Sequence, residues 1–251
     1  MIIIPMAGLS SRFFKAGYSK PKYMLEARGE TLFEHSVKSF ERYFSSEIFV
    51  FIVKNVFDTP EFVKEKVSKL GIENYHIIAL ENDTRGQAET VAVGLSELLK
   101  NNKSMDCDNT DILIFNIDTF RFGYVYPDIR NDCDGFLEVF KGEGDNWSFA
   151  KAKSQNSTQV IQTAEKNPIS NLCSTGLYYF KSIGQYLKAF NEYAQIPKDK
   201  WEKHELYVAP LYNLLIRDGF NIHYDLIKKS DVIFCGIPSE YDDFLNKNVK
   251  P

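Results

Sequence analysis

Short uninterrupted apolar runs alternate, through the first half of the chain, with segments whose apolar residues return every three or four positions. The runs are Ile2-Ile3-Ile4, Ile48 to Val53 and Ile112 to Phe115, with Tyr75 to Leu80 as a further strand. Strands buried on both faces read this way, as they do in parallel sheets. Between them, Phe33, Val37, Phe40 and Phe44 fall at helical spacing, as do Val63, Val67 and Leu70, and then Ala88, Val91, Ala92, Leu95 and Leu99. Thr59-Pro60 predicts a cap with proline at the first helical position, and Gly71 a helix stop. The alternation predicts a doubly wound, mostly parallel, Rossmann-like α/β sheet with ligands at the carboxyl ends of its strands.

The second half reads differently. Gly135 to Phe140, Trp147 to Lys153 and Thr158 to Ala164 predict shorter strands joined by polar loops. Tyr178-Tyr179-Phe180 predicts another strand. Val208, Leu211, Leu214 and Leu215 mark a helix stopped at Gly219, and Ile222 to Ile227 with Val232 to Cys235 a final strand pair. These would form a mixed or antiparallel extension. With no repeat and no Pro/Gly/Ser linker, one domain over 1–251 is expected, in halves 1–120 and 121–251.

The chain has 251 residues, 44% of them apolar and 25% charged, which excludes a disordered or fibrous protein. The net charge of −4 carries no basic run, so neither nucleic acid nor a membrane surface is an expected partner. Cys107, Cys133, Cys173 and Cys235 are scattered and form no CxxC pair, which predicts reduced thiols in a cytoplasmic protein. Met1 to Ala7 lacks the basic flank of a signal peptide. His35, His76, His204 and His223 show no metal-binding spacing and read as structural or surface residues.

Candidate chemistry begins in the loop Pro5-Met6-Ala7-Gly8-Leu9-Ser10-Ser11-Arg12-Phe13, directly after the first buried strand. Its small residues would let backbone amides approach a polyphosphate, and Arg12 could hold two phosphate oxygens. The spacing is neither a dinucleotide fingerprint nor a Walker A loop. Lys22, in Lys20-Pro21-Lys22, could neutralise charge developing on an α-phosphate. Asp118 closes the fourth buried strand.

These segments together resemble the sugar-phosphate nucleotidyltransferase family. MAGLSSRF followed by GYSKPKYMLEARGETLFEHSV is similar to its phosphate loop and PK lysine. The likeness continues through Thr84 to Thr90, Phe115 to Asp118, Glu165-Lys166, Ser174 to Phe180 and Gly236 to Tyr241, in family order and over nearly the whole chain. The resemblance implies nucleotide binding by Ala7, Gly8, Ser10, Ser11, Arg12, Lys22, Thr84, Gly86 and Gln87. It implies catalysis by Arg12, Lys22 and Asp118, Mg²⁺ held by Asp118, and acceptor binding by Glu165, Lys166 and Gly176. MIIIPMAGLSSRFFKAGY and ENDTRGQAETVA resemble more narrowly the capsule-locus cytidylyltransferases. That implies CMP transfer from CTP to a small phosphorylated acceptor, L-glutamine phosphate, with release of pyrophosphate, in phosphoramidate modification of a capsule. The reading allows a homo-oligomer.

Two departures stand out. Ser10 occupies the place of a family glycine, and no carboxylate precedes Gly236, where relatives carry a second metal-binding aspartate; Asp225 is the alternative candidate. Other readings are transfer to a sugar 1-phosphate or phosphocholine, and a non-catalytic nucleotide-binding regulator. A glycosyltransferase would want a DxD motif where Asp118 is followed by Thr119 and Phe120.

Overall fold

The computed structural model describes residues 1–246, so the last five residues of the expected 1–251 domain lie outside the described part. The first half runs β1 (Ile2–Met6), α1 (Ser11–Lys15), a small hairpin of β2 (Glu26–Ala27) and β3 (Glu30–Thr31), α2 (Leu32–Val37), β4 (Phe49–Lys54), α3 (Thr59–Leu70), β5 (Tyr75–Leu80), α4 (Gln87–Asn101), β6 (Ile112–Phe115) and β7 (Thr119–Arg121). The second half contributes β8 (Gly135–Lys141), β9 (Ser148–Ala152), β10 (Val160–Glu165), β11 (Leu172–Phe180), α5 (Ile183–Gln195), α6 (Leu211–Arg217), β12 (Ile222–Ile227), β13 (Val232–Phe234) and α7 (Pro238–Asn246).

One continuous sheet joins both halves. Strands β6, β1, β4 and β5 lie side by side and parallel, and β11 joins β6 antiparallel. Along one edge of β11 run β8 and then β12, while the other edge is shared by β6 and, at the start of β11, by β9 followed by β10. The expected parallel sheet with a mixed extension is what the chain forms.

The continuous apolar runs are explained by burial on both faces. Ile3, Val50 and Ile52 pack under α4, α5 and α6, whereas Ile2, Ile4, Phe49 and Phe51 pack under α2 and α3. Successive side chains of a strand point to opposite faces, so a strand covered on both sides has no polar position to spare. Each such side chain contributes about 1.5–3 kcal/mol on burial.

Three local expectations are corrected. The helix expected through Phe44 ends at Val37 and tightens into a 3₁₀ turn, with Phe40 leaving helical geometry at φ −111°. That break lets Phe40 meet Phe115 and Tyr124 edge-on, at centroid distances of 4.9 and 5.2 Å. Asp58, in a left-handed conformation, is the N-cap of α3, so Thr59 and Pro60 are both inside the helix. Finally, β12 and β13 do not pair with each other: β12 runs parallel to β8, and β13 runs antiparallel to β7. The β7–β13 ribbon brings the Cys235 amide to the carbonyl of Asp118, at 2.8 Å.

Candidate active site

A cavity of about 780 Å³ opens at the carboxyl ends of β1 and β6. This is where an open α/β sheet places its ligands, because loops diverge there and leave a crevice. Ala7, Gly8, Ser10 and Ser11, from the loop after β1, form one wall. Ser10 sits at φ +51°, the left-handed region in which glycine is the default residue. The serine keeps the loop's shape, and its Oγ accepts a hydrogen bond from the Lys22 amide at 3.1 Å. The serine thus ties the loop after β1 to the lysine that follows it.

Lys22 and Asp118 meet in this cavity. The Lys22 ammonium donates to Oδ2 of Asp118 at 2.5 Å, each side chain being roughly a fifth exposed. Across the cavity, Thr84, Gly86 and Gln87 line the approach to α4. Gln87 Nε2 donates to Oδ1 of Asn116, at the end of β6, and Thr84 and Thr90 share a hydroxyl hydrogen bond of 2.6 Å. Gly86 has φ +147°, and a side chain there would meet the Leu206 backbone oxygen at 2.5 Å, so only glycine fits.

Arg12, Glu165, Lys166 and Gly176 lie outside the cavity lining. Arg12 is exposed on α1. Glu165, at the end of β10, is buried and accepts from the Ser148 hydroxyl. Burial pushes its carboxyl pKa up, against the pull of Ser148 and the nearby Lys166; Glu202 and Glu205 push it further up. Lys166 stands 3.8 Å from Glu165 and donates to the Tyr207 hydroxyl at 2.6 Å. Gly176, φ +89°, lies at an irregularity in the β11–β8 pairing, and a side chain there would strike Asn116 at 2.3 Å. Its observed work is to let β11 pass beneath Asn116. Asp225 lies near Arg121 and Glu138, not at the cavity.

The sequence reading missed Asn116 as a site residue, although it flanks Asp118 in the same motif. It also missed Lys198, His204 and Glu205, which line the far side of the cavity. His204, read as a structural or surface residue, belongs to this wall. The run Lys198 to Glu205 is polar or charged apart from the buried Trp201 and carries no periodicity that would mark it as part of a site.

Asp118 sits at the strand end paired with Lys22, and among the described residues no three His, Cys, Asp or Glu side chains gather as a metal site. Mg²⁺ fits such a place: it retains several waters and binds through one or two carboxylates together with substrate phosphates.

No protein-family model matches the chain. The crystal structure of the nucleoside-diphosphate-sugar pyrophosphorylase from Vibrio cholerae RC9 is 61% identical, with a TM-score of 0.93, covering 98% of this chain and all of that one. A 2-C-methyl-D-erythritol 4-phosphate cytidylyltransferase of Neisseria meningitidis is 30% identical over 107 residues, 43% of this chain. This match spans 42% of the length of that curated relative. The inositol-1-phosphate CTP transferase from T. maritima shares the fold at 12% identity, with a TM-score of 0.69 over all of this chain and 97% of that one. The full-length likeness to the Vibrio protein and the shared sheet place this chain in the nucleotidyltransferase/pyrophosphorylase family of enzymes.

Proposed function

We propose that the protein is a cytidylyltransferase that transfers CMP from CTP to a small phosphorylated acceptor and releases pyrophosphate. The observation that carries this reading is the convergence, at one strand-end cavity, of a small-residue loop, the Lys22–Asp118 pair and the Gly86-Gln87 turn. An acceptor phosphate oxygen attacks the α-phosphorus of CTP, the new P–O bond forms, and the bond to the β-phosphate oxygen breaks. Catalysis of such a transfer is mostly positioning and charge stabilisation.

In this reading the amides of Ala7 to Ser11 hold the phosphates, and Arg12 and Lys22 stabilise the α- and β-phosphates. Lys22 exchanges its contact with Asp118 for phosphate oxygens. Asp118 holds Mg²⁺, which when bound supplies charge neutralisation to the triphosphate. The Gly86 backbone and Gln87 face the pyrimidine. Lys166, beside the buried Glu165, attracts the acceptor phosphate.

We take L-glutamine phosphate, in capsule modification, as the acceptor and CTP as the donor. CTP is supported by the two relatives whose names carry cytidylyl or CTP transfer. Transfer to a sugar 1-phosphate is the second reading, favoured by the name of the 61%-identical Vibrio protein. Four free cysteines suit a cytoplasmic location, and no helix among the described residues is long and apolar enough to cross a membrane. The test is pyrophosphate release from CTP, UTP, dTTP and GTP against L-glutamine phosphate, phosphocholine and glucose 1-phosphate. CTP with L-glutamine phosphate is expected to give the highest kcat/KM. A purine nucleotide outcompeting CTP would refute the base assignment, and glucose 1-phosphate as best acceptor would select the second reading.

A further inference from the structure

The far wall of the cavity is a strap, residues 198–207, fastened at both sides. On the nucleotide side, the Leu206 amide donates to the Arg85 carbonyl at 2.9 Å, and the Leu206 carbonyl accepts from Ala88 at 2.8 Å. The Arg85 guanidinium also stands 5.3 Å from the centre of the Trp201 ring. On the other side, the Glu202 carboxylate accepts from the Glu165 amide, and the Tyr207 hydroxyl accepts from Lys166. Between these anchors Lys203 and His204 take left-handed conformations, φ +52° and +62°, although neither is glycine. Such conformations persist where the surroundings over-determine them, and they cluster at ligand-binding positions. The result is that His204 and Glu205 line the cavity, with the Tyr207 hydroxyl, held by Lys166, close to the Glu205 carboxylate.

Glu165 cannot easily do the reading expected of it, because it is buried and satisfied by Ser148. Glu205 is the exposed carboxylate that the strap holds in the cavity wall. A carboxylate is an acceptor only, so what it selects is a donor. We propose that Glu205 determines acceptor specificity: it requires a hydrogen-bond donor, a hydroxyl or an ammonium, beside the phosphate of the acceptor. Tyr207 is a positioning residue that orients Glu205. The proposal rests on the nucleotidyl-transfer reading above.

The test measures steady-state kinetics with CTP and four acceptors: phosphoethanolamine and L-glutamine phosphate for the ammonium, glucose 1-phosphate for the hydroxyls, and methyl phosphate for neither. Binding of CTP is followed separately by calorimetry. Glu205→Ala should lower kcat/KM by about tenfold or more for whichever donor-bearing acceptors the wild type uses, and leave methyl phosphate unchanged. The KM of CTP and its calorimetric affinity should stay within about twofold. Glu205→Gln separates the two donors. An amide still accepts from a hydroxyl, so that acceptor should lose less than about threefold, whereas the ammonium acceptors should lose about tenfold or more. Unchanged acceptor kinetics in Glu205→Ala would overturn the proposal and leave the cytidylyltransferase reading standing. Equal losses for CTP and acceptor would overturn it as well, since Glu205 would then serve the fold or the nucleotide. Absence of acceptor-dependent pyrophosphate release by the wild type would remove the parent reading and this one with it.

Discussion

In the proposed mechanism the Lys22–Asp118 pair carries the chemistry of the cavity on two side chains. An ammonium preorganised beside the reacting phosphate is worth ~3–4 kcal/mol of barrier, so Lys22→Ala should cost at least about two orders of magnitude in turnover. Its thermal unfolding should stay near that of the wild type, because the Lys22 side chain lines the cavity and makes one ion pair, with Asp118. Near-normal turnover would remove Lys22 from the mechanism. Asp118→Asn keeps the shape but offers a poorer ligand to a hard cation. Activity should fall steeply and recover in part with excess Mg²⁺ or Mn²⁺. Asp225→Asn should leave the metal dependence of the rate unchanged, because Asp225 lies beside Arg121 and Glu138, away from the cavity. At this scale the sequence was informative where a residue follows a buried strand directly. The positions of Asp118 and of the loop after β1 were legible because a short apolar run fixes what comes next, whereas Lys22 was reached only through the resemblance carried by Lys20-Pro21-Lys22. Glu205 and His204 were not, since the anchors that aim them at the cavity are contributed by Arg85, Ala88 and Glu165, far away in the chain.

Elements carry two further predictions. Helix α2 begins with a reciprocal capping box between Thr31 and Glu34, and Glu34 also meets Lys69 at 2.7 Å and Lys66 at 3.7 Å. Burial pushes the Glu34 carboxyl up, but Lys69, the Thr31 amide and hydroxyl, and Lys66 outweigh it and hold the pKa at about 2. A folded-state pKa below the unfolded one gives stability that is complete above about pH 4.5 and lost as pH falls toward 2. Glu34→Gln should therefore lower stability at pH 7 by about 2–3 kcal/mol. Denaturant titrations across pH should show the gap to the wild type closing as pH falls through that window; a gap independent of pH would contradict the assignment. The second concerns the turn before α4. Gly86→Ala drives a methyl group into the Leu206 backbone and should destabilise the protein by about 2–4 kcal/mol. A melting temperature equal to that of the wild type would show that the strap is not held there. Helices with a clean apolar stripe, α3 and α4, were readable in advance. Helix α5 was missed: its buried stripe is Ile183, Tyr186, Ala189, Phe190 and Tyr193, half of it aromatic residues that suit strands equally well. The pairing of β12 with β8 and of β13 with β7 depends on long-range geometry that neighbouring residues do not encode.

For the whole molecule, one sheet supplies both partners of the proposed reaction. Its parallel strands β1, β4, β5 and β6 present the loop after β1, the Gly86-Gln87 turn and Asp118, while the extension beyond β11 carries Lys166. The strap closes the gap between the halves, because its anchors reach Arg85 and Ala88 on one side and Glu165 and Lys166 on the other. This layout was legible as a class of fold from the alternation of buried runs and helical stripes. The place where the two halves meet was not, because it is built by a charged loop without periodicity. The central claim is that this cavity moves a nucleotidyl group, and the most direct measurement follows the label of [α-³²P]CTP during incubation with L-glutamine phosphate and Mg²⁺. The account predicts that the label passes to the acceptor in step with pyrophosphate release, and that Lys22→Ala nearly abolishes both. Label that remains in CTP across the whole acceptor panel, while the wild-type protein still binds the nucleotide, would contradict it.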